Sequence, residues 1–219
     1  MAYRRVNAGE ASVVDLAVAR IRQGIRNGDF APGQRLVAAE LGTTLEAGVN
    51  TVREALTRLA GEGLVDIQPH RGAIVRTQTP EDIRDIFQLR EMVEGLAARL
   101  AARAVATGGG SVEPLLAAAR SCHERAAEVD FFGYARANQD FHEAIYTLAG
   151  NTRAKQLAQQ LSVQIDRLNG RLGRASVLQQ SAGEHDGILD AIRAGDEERA
   201  ERAMREHVAS SLQKFTGER

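Results

Sequence analysis

The stretch Gly28–Val75, GDFAPGQRLVAAELGTTLEAGVNTVREALTRLAGEGLVDIQPHRGAIV, changes its pattern several times within a short length. Two glycines and a proline in GDFAPG interrupt any helix that reaches Asn27. The polar-apolar pattern then predicts a short helix at about Ala38–Leu45 and a longer one at about Asn50–Glu62, ended by Gly63. LVDIQ and AIVRT are β-rich runs parted by Pro69, His70, Arg71 and Gly72, which reads as a hairpin with its turn. Upstream, Val14, Leu16, Ala17, Ile21 and Ile25 recur at helical spacing behind Ser12, a suitable N-cap. Three helices followed by a hairpin make a winged helix-turn-helix, expected over residues 1–76.

The rest of the chain reads differently. Thr77 to Pro80 is expected as a linker, with Thr79 as cap, Pro80 at the first helical position and Asp82 as the capping-box acid. From residue 81 to 219 the β signals vanish. Helices are predicted at about 80–106, 112–129, 131–149, 151–172, 176–194 and 196–215. Their breaks are Gly108-Gly109-Gly110, the aromatic pair Phe131-Phe132, Gly150-Asn151, Gly173 to Ser176, and Gly195-Asp196. Short connections imply an antiparallel bundle of about six helices. The fold class expected is therefore mainly α.

Composition narrows the function. Of 219 residues, 43% are hydrophobic and 26% charged, enough apolar surface for a packed core and against disorder. The single cysteine, Cys122, excludes an intrachain disulfide scaffold and any thiolate-rich metal or iron–sulfur site. No apolar run approaches the ~20 residues needed to span a bilayer. The start MAYRRVNAGE lacks the apolar segment of a signal peptide. A cytoplasmic location without membrane attachment is expected. The net charge of −1 conceals an asymmetry: residues 1–76 carry 10 arginines against 8 carboxylates, and the remainder 18 basic against 21 acidic groups.

A helix that enters the major groove must show polar residues outward while its other face packs on its own domain. In TVREALTRLAGEGLV, Val52, Leu56 and Leu59 form the inward stripe with Ala55 and Ala60 beside it. Asn50, Thr51, Arg53, Thr57 and Arg58 lie on the remaining faces and can reach DNA. Asn50 and Thr51 near the helix start are placed to read base edges, and Arg53 to grip a phosphate or a guanine. Arg35 adds a cation ahead of the short helix. In the wing, His70 and Arg71 offer donors to phosphate or the minor groove, and Gly72 permits close backbone approach.

These segments resemble the DNA-binding domain of GntR-type bacterial regulators. The matching features are the turn of Pro32, Gly33 and Leu36, the run Thr51 to Val65, and the wing Pro69-His70-Arg71-Gly72. The resemblance implies a double-stranded, palindromic operator read by a homodimer. Where the family has glycine, an apolar residue, serine or threonine, then arginine, this chain has Glu46, Ala47, Gly48 and Val49. A frequent arginine of the preceding helix is Ala39. Both departures imply an altered operator preference and fewer phosphate contacts, each of which carries a salt-dependent term.

Among five histidines, His142, His185 and His207 each begin or interrupt an apolar stripe on a separate helix, and Asn138 shares a face with His142. Imidazoles converging from three helices suit a divalent metal; equally, inward histidines can serve as internal hydrogen bonders. FQLREMVEGLAARLAA, NQDFHEAIYTLAGN, EHDGILDAIRAGD and MREHV follow, in order, the all-helical FCD effector domain of the FadR branch. In that branch an aspartate and three histidines typically hold zinc, nickel or a similar ion, and a small organic acid completes the coordination. The resemblance carries these roles to His142, His185 and His207, with Asn138 at the aspartate position; His123 matches no ligand. Three neutral imidazoles and a neutral amide leave the dication's charge uncompensated, which favours an anionic effector. Arg90 falls where relatives often place the arginine that meets the effector carboxylate; alternatively it forms an i, i+4 surface pair with Glu94.

The function expected is a metabolite-responsive transcriptional regulator, a repressor rather than an enzyme. A regulator whose bundle is a metal-free dimerisation or ligand module is the alternative. A metal-dependent hydrolase is a further class, for which Glu143, next to His142, is the nearest acid.

Overall fold

A computed structural model describes residues 12–68, 72–169 and 174–216. Its chain divides into two compact units, Met1–Thr77 and Gln78–Arg219.

The first unit begins with α1 (Val13–Asn27). Ser12 caps it: its hydroxyl accepts from the Asp15 N–H while the Asp15 carboxylate accepts from the Ser12 N–H, closing a reciprocal capping box. Gly28, in the left-handed region at φ 86°, ends it. A two-residue strand β1 (Arg35–Leu36), invisible to periodicity at that length, leads into α2 (Ala38–Leu45) and α3 (Val49–Gly61). β2 (Val65–Gln68) and β3 (Gly72–Val75) form the wing. The sheet order is β1-β3-β2, antiparallel throughout, with Leu36 opposite Ala73 and Ile67 opposite Ala73 on the other edge. Ile21, Ile25, Val52, Ala55, Leu59, Leu64 and Val75 make the core, as the α3 stripe requires.

Two glycines are needed here. A Cβ on Gly42 would sit 2.9 Å from the Ala47 carbonyl, because the chain folds back tightly between α2 and α3. Gly72 adopts φ 81°, a conformation L side chains rarely take. Its requirement is this dihedral rather than close packing, since the nearest atom to a built Cβ, the Leu36 carbonyl oxygen, is an ordinary 3.5 Å away.

The second unit contains, among the described residues, α4 (Pro80–Ala106), α5 (Glu113–Ala127), α6 (Phe131–Ala149), α7 (Thr152–Asn169), α8 (Ala175–Arg193) and α9 (Glu197–Thr216). The expected Thr79–Asp82 capping box is present, and Pro80 stands at the start of α4 as expected. Between α5 and α6 the break is made by Val129, at φ 55°, and by Asp130, whose carboxylate accepts from the Gly133 N–H. The aromatic pair does not cause it. Phe131 and Phe132 already lie in the first turn of α6. α4 packs against α6, α7, α8 and α9, using a run of small buried residues, Ala97, Ala98, Ala101 and Ala102, that lets neighbouring helices approach. Phe87, Leu115, Phe141, Ile145, Ile188, Ile192 and Met204 fill the interior. No helix among the described residues is long and apolar enough to cross a membrane.

Candidate metal centre and nucleic-acid interface

His142 occupies an inward position of α6, His185 of α8 and His207 of α9, each within a stripe otherwise apolar: Phe141 and Ile145, Ile188 and Leu189, Met204 and Val208. The three rings meet inside the bundle. Their centroids are 5.8 Å apart for His142–His185, 5.5 Å for His142–His207 and 4.8 Å for His185–His207. One ligand atom from each lies within 4.8 Å of the others, and all three residues are buried. Metal–nitrogen bonds of ~2.0–2.1 Å place two nitrogens at most ~4.2 Å apart, so small ring rotations suffice to seat an ion. His123, by contrast, is exposed and pairs with Asp186 at 2.9 Å.

Two carboxylates orient this group, and neither was assigned that role from the sequence. The His207 Nδ1 lies 2.8 Å from Glu184 Oε2, and the same carboxylate accepts from the Ser210 hydroxyl at 2.7 Å and the Lys214 ammonium at 3.1 Å. The His142 Nδ1 lies 2.8 Å from Glu94 Oε2, at hydrogen-bonding distance but off the favoured angle. With Nδ1 bonded in His207 and turned to a carboxylate in His142, Nε2 is the nitrogen left for a ligand in each ring. His185 has no such clamp. It is fully buried, stacks on the Phe141 ring with centroids 4.1 Å apart, and neither ring nitrogen has a hydrogen-bond partner. A buried imidazole with both nitrogens unpaired is costly unless something binds there.

The electrostatics favour the neutral form of His185 and His207, the form that offers a lone pair. Burial, and then the neighbouring imidazoles, hold His185 well below its ordinary pKa. Burial also lowers His207, against the opposing pull of Glu184. For Glu184, burial pushes the carboxyl up, but hydrogen bonds from His207 and Ser210 and the charges of His207 and Lys214 reverse this and hold it at about 2. Glu94 is likewise held well below the carboxylate range: the charges of Arg90 and His142 outweigh its complete burial.

Arg90 therefore has a defined place. Its Nε donates to Glu94 Oε1 at 2.6 Å, so the i, i+4 pair exists, but inside the bundle rather than on the surface. The Arg90 guanidinium also lies 5.0 Å from the Phe87 ring centroid. Asn138, one turn before His142 on α6, is half-buried. Two anions, Glu94 and Glu184, stand behind the ligand rings, each balanced by its own cation, Arg90 or Lys214.

In the first unit, Asn50 and Arg53 on α3 are exposed, Thr51 is half-exposed, and Arg35 and Gly72 are exposed on the sheet. His70 and Arg71 lie outside the described residues. Gly48 caps α3 without a side-chain hydrogen bond, so the first N–H groups of the helix remain available to an anion. Arg58, expected to reach DNA with its neighbours, is instead engaged within the unit: Nη1 pairs with Asp15 at 2.7 Å and Nη2 with Glu54 at 2.8 Å. Glu46 ends α2 at φ 53° and is exposed.

The chain matches two family descriptions in tandem, "Bacterial regulatory proteins, gntR family" over residues 14–75 and "FCD domain" over residues 85–210. It belongs to the GntR family. A relative from Paenarthrobacter nicotinovorans, described as a probable D-xylose utilization operon transcriptional repressor, is 31% identical over 92% of this chain and 86% of its own. The transcriptional repressor GlaR of Escherichia coli K12 is 27% identical over 88% of this chain and 90% of its own. The crystal structure of a putative GntR transcriptional regulator from Rhodococcus sp. RHA1 superimposes with a TM-score of 0.77 at 27% identity, covering 95% of this chain and all of that one. This GntR-family protein is accordingly a DNA-binding transcriptional regulator and not an enzyme. Proteins of the family commonly act as dimers. Glu143, the acid considered for a hydrolase, is held by Lys155 and by Gln159 at 2.8 Å on α7.

Proposed function

We propose that this regulator is a metabolite-responsive repressor acting in the cytoplasm. A homodimer reads a palindromic operator through residues 1–76, and residues 81–219 sense a small organic acid at a divalent metal, zinc or nickel. Asn50 and Thr51 read base edges, Arg35 and Arg53 contact phosphate or guanine, and His70, Arg71 and Gly72 form the contact surface of the wing. His142, His185 and His207 hold the ion, Asn138 offers its amide oxygen, and Arg90 meets the effector carboxylate. The bound ion supplies a cationic Lewis-acid centre for that carboxylate.

The unpaired nitrogens of His185, facing two imidazoles set against carboxylates, carry this reading. A metal-free module built of internal hydrogen bonders would be expected to pair all three rings; His207 bonds Glu184 and His142 lies against Glu94, but His185 has no partner at either nitrogen. Effector binding acts on DNA only through different affinities for two arrangements of the protein. Arg90 makes such a difference available, because a carboxylate ligand competes with Glu94 for the same guanidinium.

The test is elemental analysis of protein purified without chelator. About one equivalent of metal is expected in the native chain and a loss of nearly all of it in His185→Ala. Metal-free native protein of full solubility would overturn the metal reading. An operator complex unmoved by any carboxylate in a mobility-shift panel would overturn the effector reading.

A further inference from the structure

Much of the exposed side of α3 is taken by contacts within its own unit. Arg58 pairs with Asp15 and Glu54, and the Thr57 hydroxyl donates to the Arg53 carbonyl at 3.0 Å. The side chains of Val49, Asn50 and Arg53 enter none of these pairs, and all three residues are exposed. With about 3.6 residues per turn, Asn50 stands opposite the buried stripe of Val52, Ala55, Leu56 and Leu59. Val49 and Asn50 precede Arg53 by one helical turn, so the three form a single patch at the start of the helix.

Val49 is the unusual member. A β-branched apolar residue opens the helix and stays 39% exposed, and Gly48 before it has no side chain to shield it. One exposed hydrophobe is ordinary on a protein surface. On a base-reading helix, however, it faces a groove in which the thymine methyl is the apolar group on offer. Asn50 adds a matching signal. Its carboxamide holds an acceptor beside a donor. Adenine presents the complementary pair, an amino donor beside a ring-nitrogen acceptor, whereas guanine presents two acceptors. From Glu46 to Thr51 the chain has no cation to satisfy those two acceptors.

We infer that Val49 and Asn50 set the base preference of the operator half-site, Asn50 by reading an adenine through two hydrogen bonds and Val49 by packing on a neighbouring thymine methyl. This rests on α3 being the base-reading helix, as proposed above, and names the bases it reads. The first turn of α3 accordingly selects A·T pairs.

Selection from random-sequence duplexes with the full native chain, followed by titration of the enriched duplex, tests the inference. The enriched half-sites should carry an adenine whose preference disappears in Asn50→Ala and a thymine whose preference disappears in Val49→Ala. Replacing that thymine by uracil removes one methyl and should weaken native binding about fourfold. Replacing the adenine by 7-deazaadenine removes the ring-nitrogen acceptor and should weaken native binding about fivefold or more. Each base change should be silent against the variant that lacks the matching side chain, a coupling that a general loss of fold does not produce. An enriched site indifferent to both base changes, or unaltered in both variants, overturns the inference; if Arg53→Ala or Thr51→Ala still shifts that site, α3 remains the reading helix. A site whose recognition none of these four variants disturbs overturns the reading of α3 itself.

Discussion

Glu94 is fully buried and touches two basic groups of different kinds, the permanent charge of Arg90 and the ring of His142. Replacing it by glutamine keeps the shape and removes the anion. The Nδ1 of His142 then loses its strongest acceptor, so Glu94→Gln should weaken metal binding by about 10–100-fold, the usual effect of losing an outer-shell carboxylate. It should also destabilise the fold, since breaking a buried ion pair strands its partner at a cost of about 3–5 kcal/mol. Glu184→Gln should weaken metal binding comparably with a smaller stability loss, because the Glu184 side chain keeps 22% of its surface exposed where Glu94 keeps none. Competition against a chromophoric chelator, run beside thermal melts, separates the two effects. Cys122 gives an independent reading of packing. Burial, and secondarily the charge of Asp140, pushes its thiol up to about 12. The native protein should resist alkylation at neutral pH and react once unfolded.

At the scale of single elements, caps and outward faces make separate predictions. Thr79 caps the helix that bears Arg90 and Glu94, so Thr79→Ala should cost about 0.5–2 kcal/mol in denaturant titrations. The box at α1 adds a pH dependence. Hydrogen bonds from the Ser12 hydroxyl and N–H hold the Asp15 carboxyl below its ordinary 3.8. A depressed carboxylate contributes stability above that ordinary value and loses it as the pH falls through the depressed one. Ser12→Ala should therefore flatten the stability curve on its acid side, seen by melting between pH 5 and 2. On α3 the two arginines should part company. Arg53→Ala should weaken operator binding and, if Arg53 grips phosphate, reduce the salt slope by about one unit. Arg58→Ala should act mainly on stability, since Asp15 and Glu54 already occupy its guanidinium.

For the whole molecule, an ion bound only by the folded helical unit stabilises that unit by mass action, about 2.7 kcal/mol at a hundredfold excess over its dissociation constant. Chelation should lower the melting transition of residues 78–219 and leave that of residues 1–77 in place. Calorimetry with and without chelator reads this directly, and equal shifts in both transitions would contradict a metal site confined to the bundle.

Much of this protein is legible in its sequence. Helix starts at Ser12 and Thr79, the stripe Val52-Leu56-Leu59 and the six-helix pattern arise from interactions within a few residues, and local sequence controls those. Two-residue β1 escaped notice because so short a strand has no period and exists only through its pairing with β3. The Asp130 cap is hidden in the sequence beside the more conspicuous Phe131-Phe132 pair. At the site, the histidines were visible as polar interruptions of apolar stripes, whereas Glu94 resembled half of a surface pair and Glu184 merely a neighbour of His185. What local pattern determined is which residues turn inward. Which nitrogen is clamped, which is left unpaired and which arginine is already engaged were decided by residues distant in the chain meeting at 3 Å, a fact of packing that no local periodicity encodes.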